Sequence, residues 1–181
     1  MATKAEKNEK GTIEKISNRI GNMMPSSRTN AIDLLKEDHD KVRDLFEKVN
    51  ESEDSRHPSL FEKIKTELDV HTHIEETIFY PALLAKGDKE LVDIVREGIE
   101  EHRQAKMFLR EIEALGDDSF KFEPKLKVLI EDVEHHADEE EAEMFPLVKR
   151  QFEAAELEAM AAEMNREKLD FKKTLEASAG K

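Results

Sequence analysis

Apolar residues recur at three- and four-residue spacing through most of the chain, and polar breaks divide that pattern into helices. Asn30 is placed to cap a first helix that opens at Ala31 and runs to about Asn50, with the inner stripe Leu35, His39, Val42, Phe46 and Val49. Pro58 suits the first turn of a second helix, whose stripe reads Phe61, Ile64, Leu68, His71, Glu75 and Ile78. Pro81 should kink that helix and Gly87 should end it. A third runs from about Asp88 to Leu115 on Val95, Ile99, His102, Ala105, Leu109 and Ile112, and Gly116 stops it. After a loop over "DDSFKFE", Pro124 is expected to start a fourth, with Leu126, Leu129, Val133, His136, Glu140 and Leu147 inward and Pro146 breaking or bending its far end.

Short connections make successive helices antiparallel, so residues 31–150 are expected to form an all-α, up-down-up-down four-helix bundle with extra terminal helices. Residues 1–30 read as a polar extension carrying a short amphipathic helix with Ile13, Ile16, Ile20 and Met23 on one face. Docking on the protein's own surface is its simplest role, and a membrane or partner contact is the alternative. Residues 151–181 form a further amphipathic helix with Leu157, Met160, Met164, Phe171 and Leu175 on one side. It either covers the bundle or pairs with a second copy in a homo-oligomer.

The chain repeats itself. Aligning Pro81 on Pro146 sets "DVHTHIEETIFYP" against "DVEHHADEEEAEMFP", with His71 on His136, Glu75 on Glu140 and Glu76 on Glu141. "KEDHDKV" with His39 corresponds likewise to "IEEHRQA" with His102. The order His, His-x3-Glu, His, His-x3-Glu implies a pseudo-two-fold bundle with its special residues at one level. One inward histidine needs only a hydrogen bond. Four inward histidines and two inward glutamates, matched between halves, need a common compensation, because each is costly to bury alone. A cation at the bundle centre supplies it.

Composition narrows the chemistry. The 181 residues contain no cysteine, which removes thiolate zinc sites, iron–sulfur clusters and thiol catalysis. A net charge of −14 disfavours nucleic acid and anionic membranes as partners. No secretory signal opens the chain and no window approaches a membrane-spanning apolar run, so a soluble cytoplasmic protein is expected. Imidazoles with few carboxylates fit Mg and Ca poorly, and six donors exceed what a single zinc needs. They suit two metals, His39, His71, Glu75, His102, His136 and Glu140 being the candidate ligands, with Glu75 and Glu140 bridging. Iron is the first choice and manganese the second. Ferritin-like di-iron sites use four glutamates, two of them in Glu-x-x-His pairs. Two carboxylates leave the pair more positive, which favours binding or decomposing small oxidants over hydroxylating C–H bonds.

At "LLKEDHDKV", "HTHIEETIFYPAL", "EEHRQAK" and "HHADEEEAEMFPLV" the chain resembles the hemerythrin HHE cation-binding family, over about residues 31–150. The resemblance implies a four-helix bundle around two non-haem Fe ions joined by an oxo or hydroxo bridge. It places His39, His71 and Glu75 at the family's first three ligand positions, His102 on the third helix and His136 on the fourth. Oxygen-carrying members have His-x3-His where this chain has His102 and Lys106, and His-x4-Asp where it has His136 and Glu140. The chain is similar instead to a symmetric bacterial subgroup linked to hydrogen peroxide decomposition, O2 or NO handling and stress responses. A related domain senses iron. Catalase-like activity and a non-catalytic iron or oxygen sensor are the two functions the resemblance implies.

Several neighbours keep alternative readings. His135 and Glu139 offer a second His-x3-Glu register, but the stripe above His136 and Glu140 is more apolar. His73 is expected in solvent, or beside a ligand. Glu76 and Glu141 orient ligand histidines, ligate, or are solvated charge. Arg43 and Lys106, each four residues after a candidate ligand, snorkel outward or guard an entrance and supply a proton. Tyr80 packs at the boundary or does redox or hydrogen-bonding work beside the metals.

Overall fold

The computed structural model describes residues 29–116 and 119–179. The amphipathic segment expected over residues 13–23 lies outside them. Helix α1 is Ala31–Asn50, capped as expected by Asn30, whose side-chain oxygen accepts from the Ile32 and Asp33 amides. A 3₁₀ turn, Asp54–Arg56, leads into α2, His57–Ile74, with Pro58 in its first turn. α3, Tyr80–Lys86, continues α2 beyond a five-residue π turn at Glu75–Phe79. Asp88 caps α4, Lys89–Glu113, and Gly116 follows its end at φ 57°, a left-handed conformation that a glycine adopts without strain. α5 is Ser119–Glu139, and a second π turn, Glu140–Met144, joins it to α6, Phe145–Gln151. α7 is Ala154–Ala179.

These elements make an antiparallel bundle of four rods: α1, α2–α3, α4 and α5–α6. α1 packs on α2, α4 packs on α5, and α7 lies across α1 and α2. The C-terminal helix covers the bundle: Leu157, Met160 and Met164 are buried in the bundle's own core.

Two details differ from the sequence expectation. The fourth rod starts at Ser119, so Pro124 lies inside it. Proline there forgoes a bond to the Phe120 carbonyl, a cost confined to an exposed first turn. Phe122, packed edge-on against Phe61 at 5.7 Å, recruits that turn to the core. The second difference is at the matched prolines. Instead of a kink there is a widened turn, in which the Tyr80 amide donates to the Glu75 carbonyl and the Phe145 amide to the Glu140 carbonyl. A proline lacks the amide and crowds the carbonyl four residues back, and a π turn relieves both. The extra residue rotates the following segment. Phe79, not the expected Ile78, is therefore the fully buried residue, with Tyr80 beside it.

The apolar core comes in two parts. One contains Ile32, Leu35, Phe79, Leu91, Val95 and Phe145, and the other Phe46, Phe61, Ile64, Leu109, Leu126 and Leu129. Along every rod the division falls at the same place, where the inward histidines and glutamates sit. Ile64→Ala, inside the second part and fully buried, should cost about 2–5 kcal/mol in urea unfolding without changing the helical content.

Candidate metal centre

Between the two apolar parts lies a polar layer. His39, His71, Glu75, His102, His136 and Glu140 are all buried, and each of the four rods contributes at least one of them. His39, His71, Glu75 and Glu140 bring donor atoms within 4.8 Å of one another, and Glu75, His102 and His136 form a second such group. Glu75 belongs to both. Each group is thus a three- or four-donor nest, and the two share a carboxylate.

The histidines point their Nε2 atoms inward. His71 Nε2 lies 3.0 Å and His102 Nε2 3.2 Å from Glu75 Oε2, and His39 Nε2 lies 3.3 Å from Glu140 Oε2. His102 Nε2 and His136 Nε2 are 3.0 Å apart. Nitrogens that close require a proton or a cation between them. Buried atoms without a hydrogen-bond partner include His39 Nε2, both Glu75 oxygens and Glu140 Oε2. Such orphans are expensive in a dry interior, and here they all face the same space. Imidazole nitrogen with carboxylate oxygen is a donor set that fits a first-row transition ion.

Nδ1 faces outward and is held by a carboxylate in three cases. His39 Nδ1 is 3.0 Å from Glu141, His102 Nδ1 3.1 Å from Glu76, and His136 Nδ1 2.6 Å from Glu101. Such partners fix the ring orientation and leave Nε2 as the inward donor. The first two contacts cross between halves: each half's glutamate steadies the other half's histidine. Arg43 and Lys106 complete the same design. Arg43 donates to Glu141 and Asp138, both at 2.8 Å, and Lys106 donates to both Glu76 oxygens at 2.6 Å. Glu76 and Glu141 therefore sit between a cation outside and a histidine inside.

The charges follow from this arrangement. Burial pushes the Glu75 carboxyl up, but His71 and His102 outweigh it and hold it well below the usual carboxylate range. Glu76 is lowered to about 2, first by its bond to His102 and then, against burial, by Lys106. Glu141 also falls to about 2, because Arg43, His39 and Lys36 overcome the burial that would raise it. Burial opposes charge on His102, yet Glu75 and Glu76 raise it to about 9. Tyr80 is pushed well above the usual phenol value by burial and by Glu140 and Glu75, so it remains a donor.

Tyr80 takes the second of its two readings in geometry: its hydroxyl donates to Glu140 Oε1 at 2.7 Å and its ring stacks on His102 at 5.3 Å. His73 is not in solvent. It is half-buried, stacked on Phe171 at 3.8 Å and bonded to Glu167 at 2.7 Å, so it anchors α7. His135 and Glu139 are displaced from the central layer, His135 being 68% exposed, so His136 and Glu140 are the inward register.

Sequence reading missed Glu101, Asp38 and Gly98. The first two were visible as the acidic residue just before each matched histidine, in "EDH" and "EEH". Gly98 has no such signal. A Cβ there would meet the Tyr80 hydroxyl at 3.0 Å and His136 Cε1 at 3.4 Å, so glycine makes room for both.

A family model, the hemerythrin HHE cation binding domain, matches residues 30–148. Among curated proteins, a DNA nickase of Nostoc sp. is 26% identical over 155 residues, 83% of this chain and 42% of its own length. Uncharacterized proteins of Mycobacterium tuberculosis and Mycobacterium bovis are 34% identical over 120 residues, 65% of this chain and 71% of theirs. No solved structure matches significantly.

Gly98→Ala should displace Tyr80, detectable as a shifted tyrosine ultraviolet signal in protein whose helical content is unchanged. The metal-free protein should also show a two-sided stability profile. A lowered carboxylate stabilises fully above its ordinary 4.5 and loses that contribution as pH falls towards about 2, as for Glu76. A raised histidine stabilises fully below its ordinary 6.5 and loses it as pH rises through about 9, as for His102. Denaturant midpoints should therefore be highest between these ordinary values, and Glu76→Gln should flatten both flanks.

Proposed function

The chain belongs to the hemerythrin HHE cation-binding family, and from that premise we propose that its central layer holds two non-haem iron ions and turns over small oxidants, hydrogen peroxide first among them. His39, His71, Glu75, His102, His136 and Glu140 would hold the pair, with Glu75 common to both sites. Bound iron supplies redox chemistry for peroxide, dioxygen or nitric oxide. Manganese is the less favoured occupant.

The observation that carries this reading is the space beside the donors. A cavity of about 180 Å³ is walled by Val42, Phe46, Leu68, Ala105 and Val133 and reaches His39, His71, His102 and His136. An engineered cavity of about 150 Å³ holds benzene or xenon, so this one has ample room for peroxide or a diatomic gas beside the donors. Apolar side chains share its lining with the charged Arg43, Glu101 and Glu134. Gln104 and Asp132, joined by a 2.8 Å hydrogen bond, line it at the surface.

The chain's own residues divide the remaining work. Glu76, Glu141 and Glu101 keep three rings aligned with Nε2 inward. Arg43 and Lys106 are committed to those carboxylates, which leaves the phenolic proton of Tyr80, already donated to Glu140, as the donor nearest the centre. A sensor is the second reading, and one observation favours it: α7 bonds through Lys168 to Asp38, the residue next to His39. The Nostoc relative's name concerns DNA. The chain spans under half of that protein, and its −14 charge opposes the same role here.

Protein reconstituted with ferrous iron should hold two ions per chain, develop near-ultraviolet charge-transfer absorption and evolve dioxygen from peroxide, all lost in Glu75→Ala. Colourless protein without bound iron would end the metal reading. Coloured protein inert to peroxide, whose α7 gains protease sensitivity on iron removal, would select the sensor.

A further inference from the structure

Three inward histidines rest Nδ1 on a carboxylate, and the fourth does not. His71 Nδ1 is buried with no hydrogen-bond partner. The pseudo-symmetry says what belongs there. His136, its counterpart, is held by Glu101, which immediately precedes His102. The equivalent residue in the first half immediately precedes His39, and it is Asp38.

Asp38 is itself buried, and its Oδ2 also lacks a partner. Two unsatisfied polar atoms, one a potential N–H donor and one a carboxylate acceptor, thus occur on neighbouring helices that pack together. The two side chains are within electrostatic reach of each other. The rings of His39 and His71 lie 4.9 Å apart. The other Asp38 oxygen is engaged by two lysines: Lys41 at 2.9 Å, and Lys168 of α7. Aspartate is one methylene shorter than the glutamate at position 101, so holding it towards α7 takes it out of bonding range of His71.

We propose that Asp38 is the fourth histidine-positioning carboxylate and that Lys168, on the C-terminal helix, competes with His71 for it. With α7 seated, Asp38 is drawn to Lys168 and the His71 ring is left without an outward partner. With α7 lifted, Asp38 accepts from His71 Nδ1–H and locks Nε2 towards the centre. The seat of α7 is compact and lies beside His71: Glu167 and Phe171 grip His73, and Lys172 bonds Glu67 at 3.0 Å. The inference rests on the reading that the central layer holds metal, but its first readout does not need metal.

That readout is nitrogen-15 NMR of the histidines in full-length, metal-free protein. Lys168→Met should move the His71 Nδ1 proton downfield and slow its exchange with water, as a new hydrogen bond does, and Asp38→Asn should abolish that change. The second readout is ferrous-iron affinity by chelator competition. Asp38→Asn should weaken it by about 10–100-fold, the usual effect of losing a partner of a ligating histidine. Lys168→Met should tighten it, Asp38→Glu should do the same, and the double variant Asp38→Asn/Lys168→Met should match Asp38→Asn. If Asp38 and Lys168 form only a structural ion pair, both single variants lower the thermal midpoint while the His71 signal and iron affinity stay put, and the proposal fails. Should Asp38→Asn not fold, the Lys168→Met histidine signal decides alone. Wild-type protein that takes up no iron would overturn the metal reading, with the NMR result still judging this one.

Discussion

Polar groups that cannot reach water dictate this architecture. Four imidazoles and two carboxylates occupy the middle of a helical bundle, where each alone would cost several kcal/mol to leave unsatisfied. The sequence tolerates them because they are placed together. Three of the four outward-facing nitrogens are matched with acids, two of those acids with Arg43 and Lys106, and the inward-facing atoms converge as a donor set able to hold a cation. Everything apolar is arranged above and below that layer. The two widened turns begin at Glu75 and Glu140 themselves, so the local geometry of the rods is tied to the same requirement.

Most of the bundle was legible because hydrophobic periodicity is robust over rods of this length. Asn30, Pro58 and Asp88 each announce a helix start through simple capping or first-turn chemistry. The matched His-x3-Glu blocks, with the matched single histidines at 39 and 102, point to six polar positions at one level. Elsewhere, tertiary packing overrides a local signal. Pro124 looks like a first-turn proline, but Phe122 finds Phe61 and pulls another turn into the helix. Pro81 looks like a kink, yet widening one turn accommodates it and shifts the buried position from Ile78 to Phe79.

The network around the histidines was less legible for a different reason. It depends on which residue of one rod meets which residue of another, and periodicity within a rod is silent about that. His71 faces the centre as its stripe predicts, but only the path of α7 explains why His73, two positions on, meets Phe171 rather than solvent. Gly98 is intelligible solely through the two side chains that crowd it. Internal repetition is the best guide the chain offers, since it relates Glu101 to Asp38 and Glu76 to Glu141 without reference to neighbours.

The exchange of glutamates between halves has an evolutionary corollary. His39 is steadied by Glu141 and His102 by Glu76, so a lone helical hairpin would possess a histidine and an acid that could not serve each other. Two copies of one hairpin, swapping acids across a two-fold axis, would satisfy both. Fusing such a pair into one chain would preserve the trade while freeing each copy to drift, and the aspartate at 38 against the glutamate at 101 is a difference of the kind such drift allows.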